Sequence, residues 1–336
     1  MVDVLLTTAG NPVGRQVLRS LKSHGLRVAV SDPCQESMDH YCKGAEGSFV
    51  LPDAALHEVG HVRRLGPRAS ELSVSMVIPV FYPEVLARNL ECLPAGTRVP
   101  VDEAEKLARM DDKCLASELA TSLNIPQPEI YTHFDRIDKY PVVFKRPGGL
   151  GGSAVYFPGN RNSLEKLVRT QDRCLVTEFV PGYDVSVDAL RWDGYFRAGA
   201  YRVILPRRKG FSVLRESVDM PEAIQYARRL LDALDYKGAC GLDFRVDARS
   251  GKLLFLECNP RFSGGLYSQM AAGFDLPWEL WQLCNGEDPG NDGKPIRSGV
   301  RTMSLEGAGR LLRHRKTSLG DKLRCLFPRT FRFDEL

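Results

Sequence analysis

Two runs in the last third of the chain decide the fold: GACGLDFRVD (238–247) and KLLFLECNPR (252–261), joined by Ala248-Arg249-Ser250-Gly251. Both are short and apolar, and a turn ending in glycine separates them, so they read as an antiparallel hairpin. Asp243 stands on the first strand, Glu257 and Asn259 on the second. Residues at i and i+2 of a strand share a face, so the last two point the same way. Two carboxylates and an amide oxygen are hard ligands that leave positions open for water and polyphosphate, the usual way of holding magnesium. Polar residues facing solvent would be the plainer account, but KLLFLE is too apolar to carry an incidental acid at its inner end. Arg261 follows directly, a guanidinium suited to an oxyanion or a phosphate. Ser263, Gly264 and Gly265 then offer free N–H groups and room for a substrate.

Upstream, VVFKRPGGLGGSAVYF (142–157) delivers Lys145 from a strand into a loop containing Gly148, Gly149, Gly151, Gly152 and Ser153. Such a loop lets backbone approach an anion closely, although it lacks the order of a Walker loop and serves equally as a tight hairpin turn. CLVTEFVPGYDVSVD (174–188) presents a strand whose end, Glu178-Phe179-Val180, can meet an adenine edge through backbone, with Asp184 six residues beyond Glu178 for ribose hydroxyls. Arg202, Arg207, Arg208 and Lys209 precede Gly210 and form either a mobile loop over an anionic substrate or an exposed loop.

The order Lys113 in MDDK, Lys145 before the glycine loop, Glu178 with Asp184, Asp243, then ECNPR (257–261) resembles the ATP-grasp superfamily. The resemblance covers nearly the whole chain and is nearest to the branch holding carbamoyl-phosphate synthetase large-subunit halves, biotin carboxylase and the pyrrolysine-pathway ligase, whose metal strand also ends in E-x-N-P-R. It implies ATP between two α+β lobes, with Lys113 and Lys145 on its phosphates, Gly149, Gly151, Gly152 and Ser153 covering them, and Glu178, Phe179, Val180 and Asp184 around adenine and ribose. It further implies one or two Mg²⁺ ions on Asp243, Glu257 and Asn259. The family's chemistry joins a carboxylic acid to an amine through an acyl phosphate, which Lys145 and Arg261 would serve, with Arg202, Arg208, Arg261, Ser263, Gly264 and Gly265 toward the substrate. Two positions depart from the family's usual residues: Thr177, where many relatives have an acid or amide, and Asp184, where glutamate is commoner.

The expected fold class is therefore α/β and α+β, an ATP-grasp fold behind an N-terminal doubly wound, Rossmann-like domain. Residues 1–100 alternate strand, helix and strand through a GNPVG turn (10–14), read with equal weight as a ligand-binding turn or a tight connection. A helix over 102–124 and Pro126 and Pro128 mark the next boundary, ahead of a strand from Glu129. The expected division is 1–100, a small lobe 101–184, a large lobe 185–300 with the metal residues, and a basic segment 301–336.

Of 336 residues 43% are hydrophobic and 26% charged, the balance of a globular chain large enough for several units. The net charge of +4, from 46 basic and 42 acidic residues, gives no reason to expect nucleic acid. Nine cysteines without a CxxC pair read as free thiols, and no 18-residue apolar run occurs, so a cytoplasmic protein off the membrane is expected. The expected partners are small carboxylate and amine substrates, an amino acid or peptide among them, with a homodimer the assembly allowed for. Three competing readings are a carboxyphosphate- or carbamate-forming enzyme, a non-catalytic ATP-binding regulator, and a zinc peptidase using His57-Glu58-Val59-Gly60-His61, which matches HExxH.

Overall fold

The computed structural model describes residues 2–149, 152–205, 212, 214–304, 309 and 332–333. It opens with β1 (Val4–Thr7), α1 (Pro12–Ser23), β2 (Val28–Asp32), α2 (Gln35–Tyr41), β3 (Ser48–Val50), α3 (Glu58–Leu72), β4 (Met76–Pro79) and α4 (Pro83–Ala87). The four strands form an all-parallel sheet in the order β3-β2-β1-β4. Alternation along β1 sorts its side chains between two layers. Val4 and Leu6 pack with Val13, Val17 and Leu21 of α1, while Leu5 packs with Leu65 and Ala69 of α3.

The GNPVG turn is a capped connection. Asn11 Oδ1 accepts from the amides of Val13 and Gly14, both at 3.0 Å, and Pro12 sits at the first helical position where no amide hydrogen is needed. Asp32 accepts the Gly10 amide at 2.9 Å, and a Cβ on Gly14 would fall 2.1 Å from the Ala9 carbonyl oxygen. The turn's own side chains thus take up the donors an anion would use.

Next come α5 (Ala104–Asp111), α6 (Lys113–Ser122), β5 (Val142–Lys145), β6 (Val155–Tyr156), α7 (Arg161–Val168) and β7 (Leu175–Glu178). The helix expected over 102–124 is two helices, because Asp112 leaves helical geometry and its carboxylate caps the amides of Cys114 and Leu115. The strand expected from Glu129 reduces to a single bridge, Ile130 to Thr177. β6, β5 and β7 make a three-stranded antiparallel sheet whose Val142, Phe144 and Val176 pack against Leu164 of α7.

The rest is β8 (Gly182–Trp192), β9 (Tyr195–Leu205), β10 (Leu214–Val218), α8 (Pro221–Ala233), β11 (Gly238–Asp247), β12 (Leu253–Asn259), α9 (Leu266–Ala271), α10 (Leu276–Cys284), β13 (Arg301–Met303) and β14 (Arg332–Phe333). They form a sheet in the order β12-β11-β8-β9-β10-β13-β14. One face is apolar: Val185, Val187, Ala198, Ala200, Leu242 and Phe244 bury against Leu107 and Met110 of α5, Leu119 and Ala120 of α6, and Ala227 and Leu231 of α8. So α5 and α6, expected within a 101–184 lobe, place their buried sides on the large sheet. The opposite face packs Leu190, Tyr195 and Ala239 with Leu266 and Leu280 at one end and carries the polar site residues at the other.

Candidate functional site at the polar face of the large sheet

The β11–β12 hairpin sets the register. Gly241 pairs with Asn259 and Asp243 with Glu257, and a bulge after Asp243 brings Phe244 opposite Phe255. The extra residue lets Phe255 and Cys258 share the apolar face while Glu257 and Asn259 share the polar one. Asp243 and Glu257 are therefore direct cross-strand neighbours, which like charges disfavour. Burial first, and then Glu257, push the Asp243 carboxyl up to about 7, with the Ser186 hydroxyl donating to it at 2.5 Å as partial relief. Asn259 Nδ2 reaches Asp243 Oδ2 at 3.4 Å, and Asn259 Oδ1 accepts from Arg261 at 2.8 Å. Arg261 is held on its other side by Asp111 at the end of α5, also at 2.8 Å.

Two lysines arrive from other elements. Lys113 begins α6, where the Asp112 cap fixes the chain direction, and its Nζ lies 3.6 Å from Glu257 Oε2. Lys145 ends β5 and donates to the Leu256 carbonyl at 2.8 Å. Burial holds the Lys145 ammonium below its ordinary pKa, opposed by Glu257. The expected set Lys113, Lys145, Asp243, Glu257, Asn259 and Arg261 is thus one contiguous cluster.

Gly149 and Gly152 have φ of +129° and +76°, values that suit glycine, in a loop closed by Arg146 N–H to Ala154 O at 3.0 Å. Ser153 follows within it, and Gly151 lies outside the described residues. Glu178 and Asp184 are each held by a different arginine: Arg249 contacts Glu178 at 3.1 Å, and Arg245 contacts both Asp184 and the Val180 carbonyl at 2.5 Å. The Phe179 ring meets Phe157 edge to face and lies 5.9 Å beneath the Arg245 guanidinium.

Other candidates land elsewhere. Arg202 pairs across the ladder with Val185, whose side chain is in the apolar core, and its guanidinium binds Glu216 at 2.9 Å. It therefore lies on the opposite face from the cluster, one residue out of phase. Arg208 is outside the described residues, as is most of the basic segment 301–336, although Arg301 pairs with Glu216 at 2.8 Å. Ser263 accepts the Gly265 amide at 2.8 Å, and Gly264 completes the turn into α9. Gly265 leaves room for protein and not for substrate, since a Cβ there would sit 2.1 Å from the Tyr201 hydroxyl. In the HExxH segment His57 is the cap of α3, outside its helical turns, and the buried His61 Nδ1 lies 2.8 Å from the Pro52 carbonyl. Glu58 is bound to Arg88 at 2.7 Å. Among the described residues no cluster of three or more His, Cys, Asp or Glu is arranged to hold a metal, which leaves the zinc reading without a site.

The polar face holds residues that motif reading missed: Ser186, Asp188, Tyr201, Arg215 and Gln269, all buried. The signal was the alternation of YDVSVDA (183–189), which puts Asp184, Ser186 and Asp188 on one face and Val185, Val187 and Ala189 on the other.

Residues 170–308 match a family described as ATP-grasp in the biosynthetic pathway with Ter operon. The chain carries an ATP-grasp domain. Curated relatives include a D-alanine–D-alanine ligase of Fusobacterium nucleatum, 23% identical over 44% of this chain and 55% of that one. A carbamoyl phosphate synthase large chain of Archaeoglobus fulgidus is 26% identical over 53% of this chain. This chain spans about half of the first relative and 18% of the second. Among solved structures, a biotin carboxylase of Campylobacter jejuni in a beta-gamma-ATP complex superposes with a TM-score of 0.71 at 18% identity, covering 90% of this chain and 74% of that one. The ATP-grasp match contains Asp243 and ECNPR, while Lys113 and Lys145 precede it. No helix among the described residues is long and apolar enough to cross a membrane.

Proposed function

We propose that the protein is an ATP- and Mg²⁺-dependent ligase that joins a carboxylic acid to an amine through an acyl phosphate, releasing ADP and phosphate. The observation that carries this reading is the convergence of Asp243, Glu257 and Asn259 in one hairpin register with Arg261 just beyond its end and with Lys113 and Lys145 delivered from two further places in the chain. We read the parallel sheet of 1–100 as the pre-ATP-grasp domain, and the three-stranded and large sheets as the lobes that hold the nucleotide.

The donor set fits magnesium. All three candidate ligands carry hard oxygen donors, that of Asn259 standing on Arg261, and burial first and the facing Glu257 second make Asp243 resist ionisation near neutral pH, a penalty that a divalent cation relieves. Asp243, Glu257 and Asn259 would hold it, and a bound magnesium neutralises polyphosphate charge. Lys113 and Lys145 add fixed positive charge against the phosphates, and the lowered pKa of Lys145 marks a dry surrounding in which such charge acts strongly. The acid's carboxylate oxygen attacks the γ-phosphorus and ADP leaves. The amine nitrogen then attacks the acyl carbon, phosphate departs, and the nitrogen loses its extra proton. Arg261, braced by Asp111 and Asn259, supplies two-point binding for the oxyanion or the phosphoryl oxygens.

The test is ADP release from ATP and Mg²⁺ with pooled amino acids, other carboxylates and bicarbonate. Wild-type protein should turn over with one pool, and Glu257→Gln should lower kcat by about 100-fold or more, the scale of losing a group that stabilises transition-state charge. A Glu257→Gln protein with wild-type turnover at saturating Mg²⁺ would refute the metal assignment. Turnover confined to the bicarbonate pool would place the enzyme among carboxyphosphate formers.

A further inference from the structure

Beside the cluster, the same face of the large sheet carries two buried acceptors that accept nothing. Asp188 is 2% exposed and Gln269 fully buried. Among the described residues neither oxygen of Asp188 and not the Oε1 of Gln269 has a hydrogen-bond partner. Folded proteins rarely leave such atoms unpaired, and two together call for a donor from outside.

The geometry fixes their character. Gln269 Nε2 donates to the Gly199 carbonyl at 2.8 Å, so the amide cannot turn round without setting oxygen against oxygen, and Oε1 stays an acceptor. Gly199 is the direct ladder partner of Asp188, and a Cβ built on it would meet Gln269 Oε1 at 2.1 Å. Paired residues on one face stand about 5 Å apart at Cβ, which puts both acceptors over one ladder position. Gly241 pairs with Asp188 on its other side, and a Cβ there would lie 2.9 Å from Ser263 Cβ and 3.5 Å from Asp188 Oδ1. Glycines on both flanking strands thus let Ser263 and Gln269 close down on the carboxylate. Burial pushes the Asp188 carboxyl up to about 6, and Ser263, Gln269 and Arg215 ease its charge from nearby without a hydrogen bond of proper geometry to either oxygen. Arg215 is itself committed, donating from Nε and Nη2 to Ser212 at 2.5 and 2.7 Å.

We propose that Asp188 and Gln269 Oε1 form the seat for the positively charged ammonium group of the amine substrate, so that the second substrate is a primary amine that binds in its protonated form and hands one proton to the Asp188 carboxylate before its freed lone pair attacks the acyl carbon. The inference rests on the ligase reading and adds the residues that select the nitrogen. An ammonium has three donors and no acceptor, and so matches the three open acceptor atoms, Asp188 Oδ1 and Oδ2 and Gln269 Oε1. Asp243, the proposed metal ligand, stands on β11 one same-face position from Gly241, which places the seat next to where the acyl phosphate would form.

The experiment compares wild-type full-length protein with Asp188→Asn, an isosteric change that removes the charge. Two properties are read. The first is the melting temperature without ligands, which should equal or exceed that of wild type, because an unpaired buried charge is lost; a lower value, or failure to fold, makes Asp188 structural and overturns the proposal. The second is competition for the activated acid between hydroxylamine, uncharged at pH 7.5, and a mixture of ammonium chloride, putrescine and the twenty protein amino acids. The KM for the stimulating amine should rise about 10- to 100-fold more than that for hydroxylamine, the worth of a charged hydrogen bond. Equal changes in both, or a wild type that makes hydroxamate yet ignores every amine, would overturn the seat and leave the ligase standing. A wild type that forms no hydroxamate and no ADP removes the ligase reading, and the seat with it.

Discussion

Asp188 ties charge to stability in a way that a pH series can read. Its folded carboxyl titrates at about 6 against an ordinary 3.8, so the unfolded chain ionises first as pH rises. The stabilising contribution is complete below about pH 4 and is lost by the time pH has passed 6. At 1.36 kcal/mol per pH unit the loss is roughly 3 kcal/mol for a group this deeply buried. Urea unfolding of the ligand-free, metal-free protein at pH 4, 5, 6 and 7 should show stability falling across that window. Asp188→Asn should flatten much of the fall, while Asp243 keeps a slope of the same sign up to about pH 7. An unchanged slope in the variant would contradict the burial of an unpaired charge. At this scale Glu257 and Asn259 were legible because period-two spacing is a local property. Asp188 shows the same spacing, but the absence of a partner belongs to the tertiary structure, where α9 brings Gln269 over β9.

The hairpin, the two lysine-bearing elements and α9 show which local signals survive assembly. Local pattern found the β11–β12 hairpin, the strand β5 that delivers Lys145 and the strand β7 that ends at Glu178, while Arg202, read into a loop, lies within β9. Asp112 was read as part of a helix, whereas its short carboxylate restarts one, and that restart aims Lys113 at Glu257. The HExxH segment fails for a related reason: its first histidine is the cap, with dihedrals outside the helical region, and the ring of the second is turned to the Pro52 carbonyl. Gly265 at the start of α9 shows what glycine supplies at this junction, a close approach to Tyr201. Gly265→Ala should therefore cost roughly 1–3 kcal/mol through overpacking. A chemical-denaturation midpoint unchanged from wild type would show that α9 can move off the sheet freely, and with it Gln269.

Across the whole molecule, α6, the three-stranded sheet and the large sheet bring together residues from Lys113 to Arg261, and among the described residues they meet on the side of the large sheet that carries Asp243. Composition and alternation pointed to α/β structure followed by α+β structure, and the first sheet is parallel while the three-stranded sheet is antiparallel. They did not reveal that α5 and α6 cover the large sheet, because an amphipathic helix specifies a buried side and not its partner. Nor could period two alone keep Arg202 off the list, since which face of β9 turns to the site depends on its register with β8. By the proposed function, this convergence activates a carboxylic acid. That step is tested most directly by incubating the protein with ATP, Mg²⁺, hydroxylamine and single carboxylic acids, and assaying hydroxamate. Hydroxamate that requires ATP, Mg²⁺ and one particular acid, formed in step with ADP and lost in Glu257→Gln, is the predicted result. ADP release that depends on an acid but yields no hydroxamate at any hydroxylamine concentration would contradict an acyl phosphate open to amine attack.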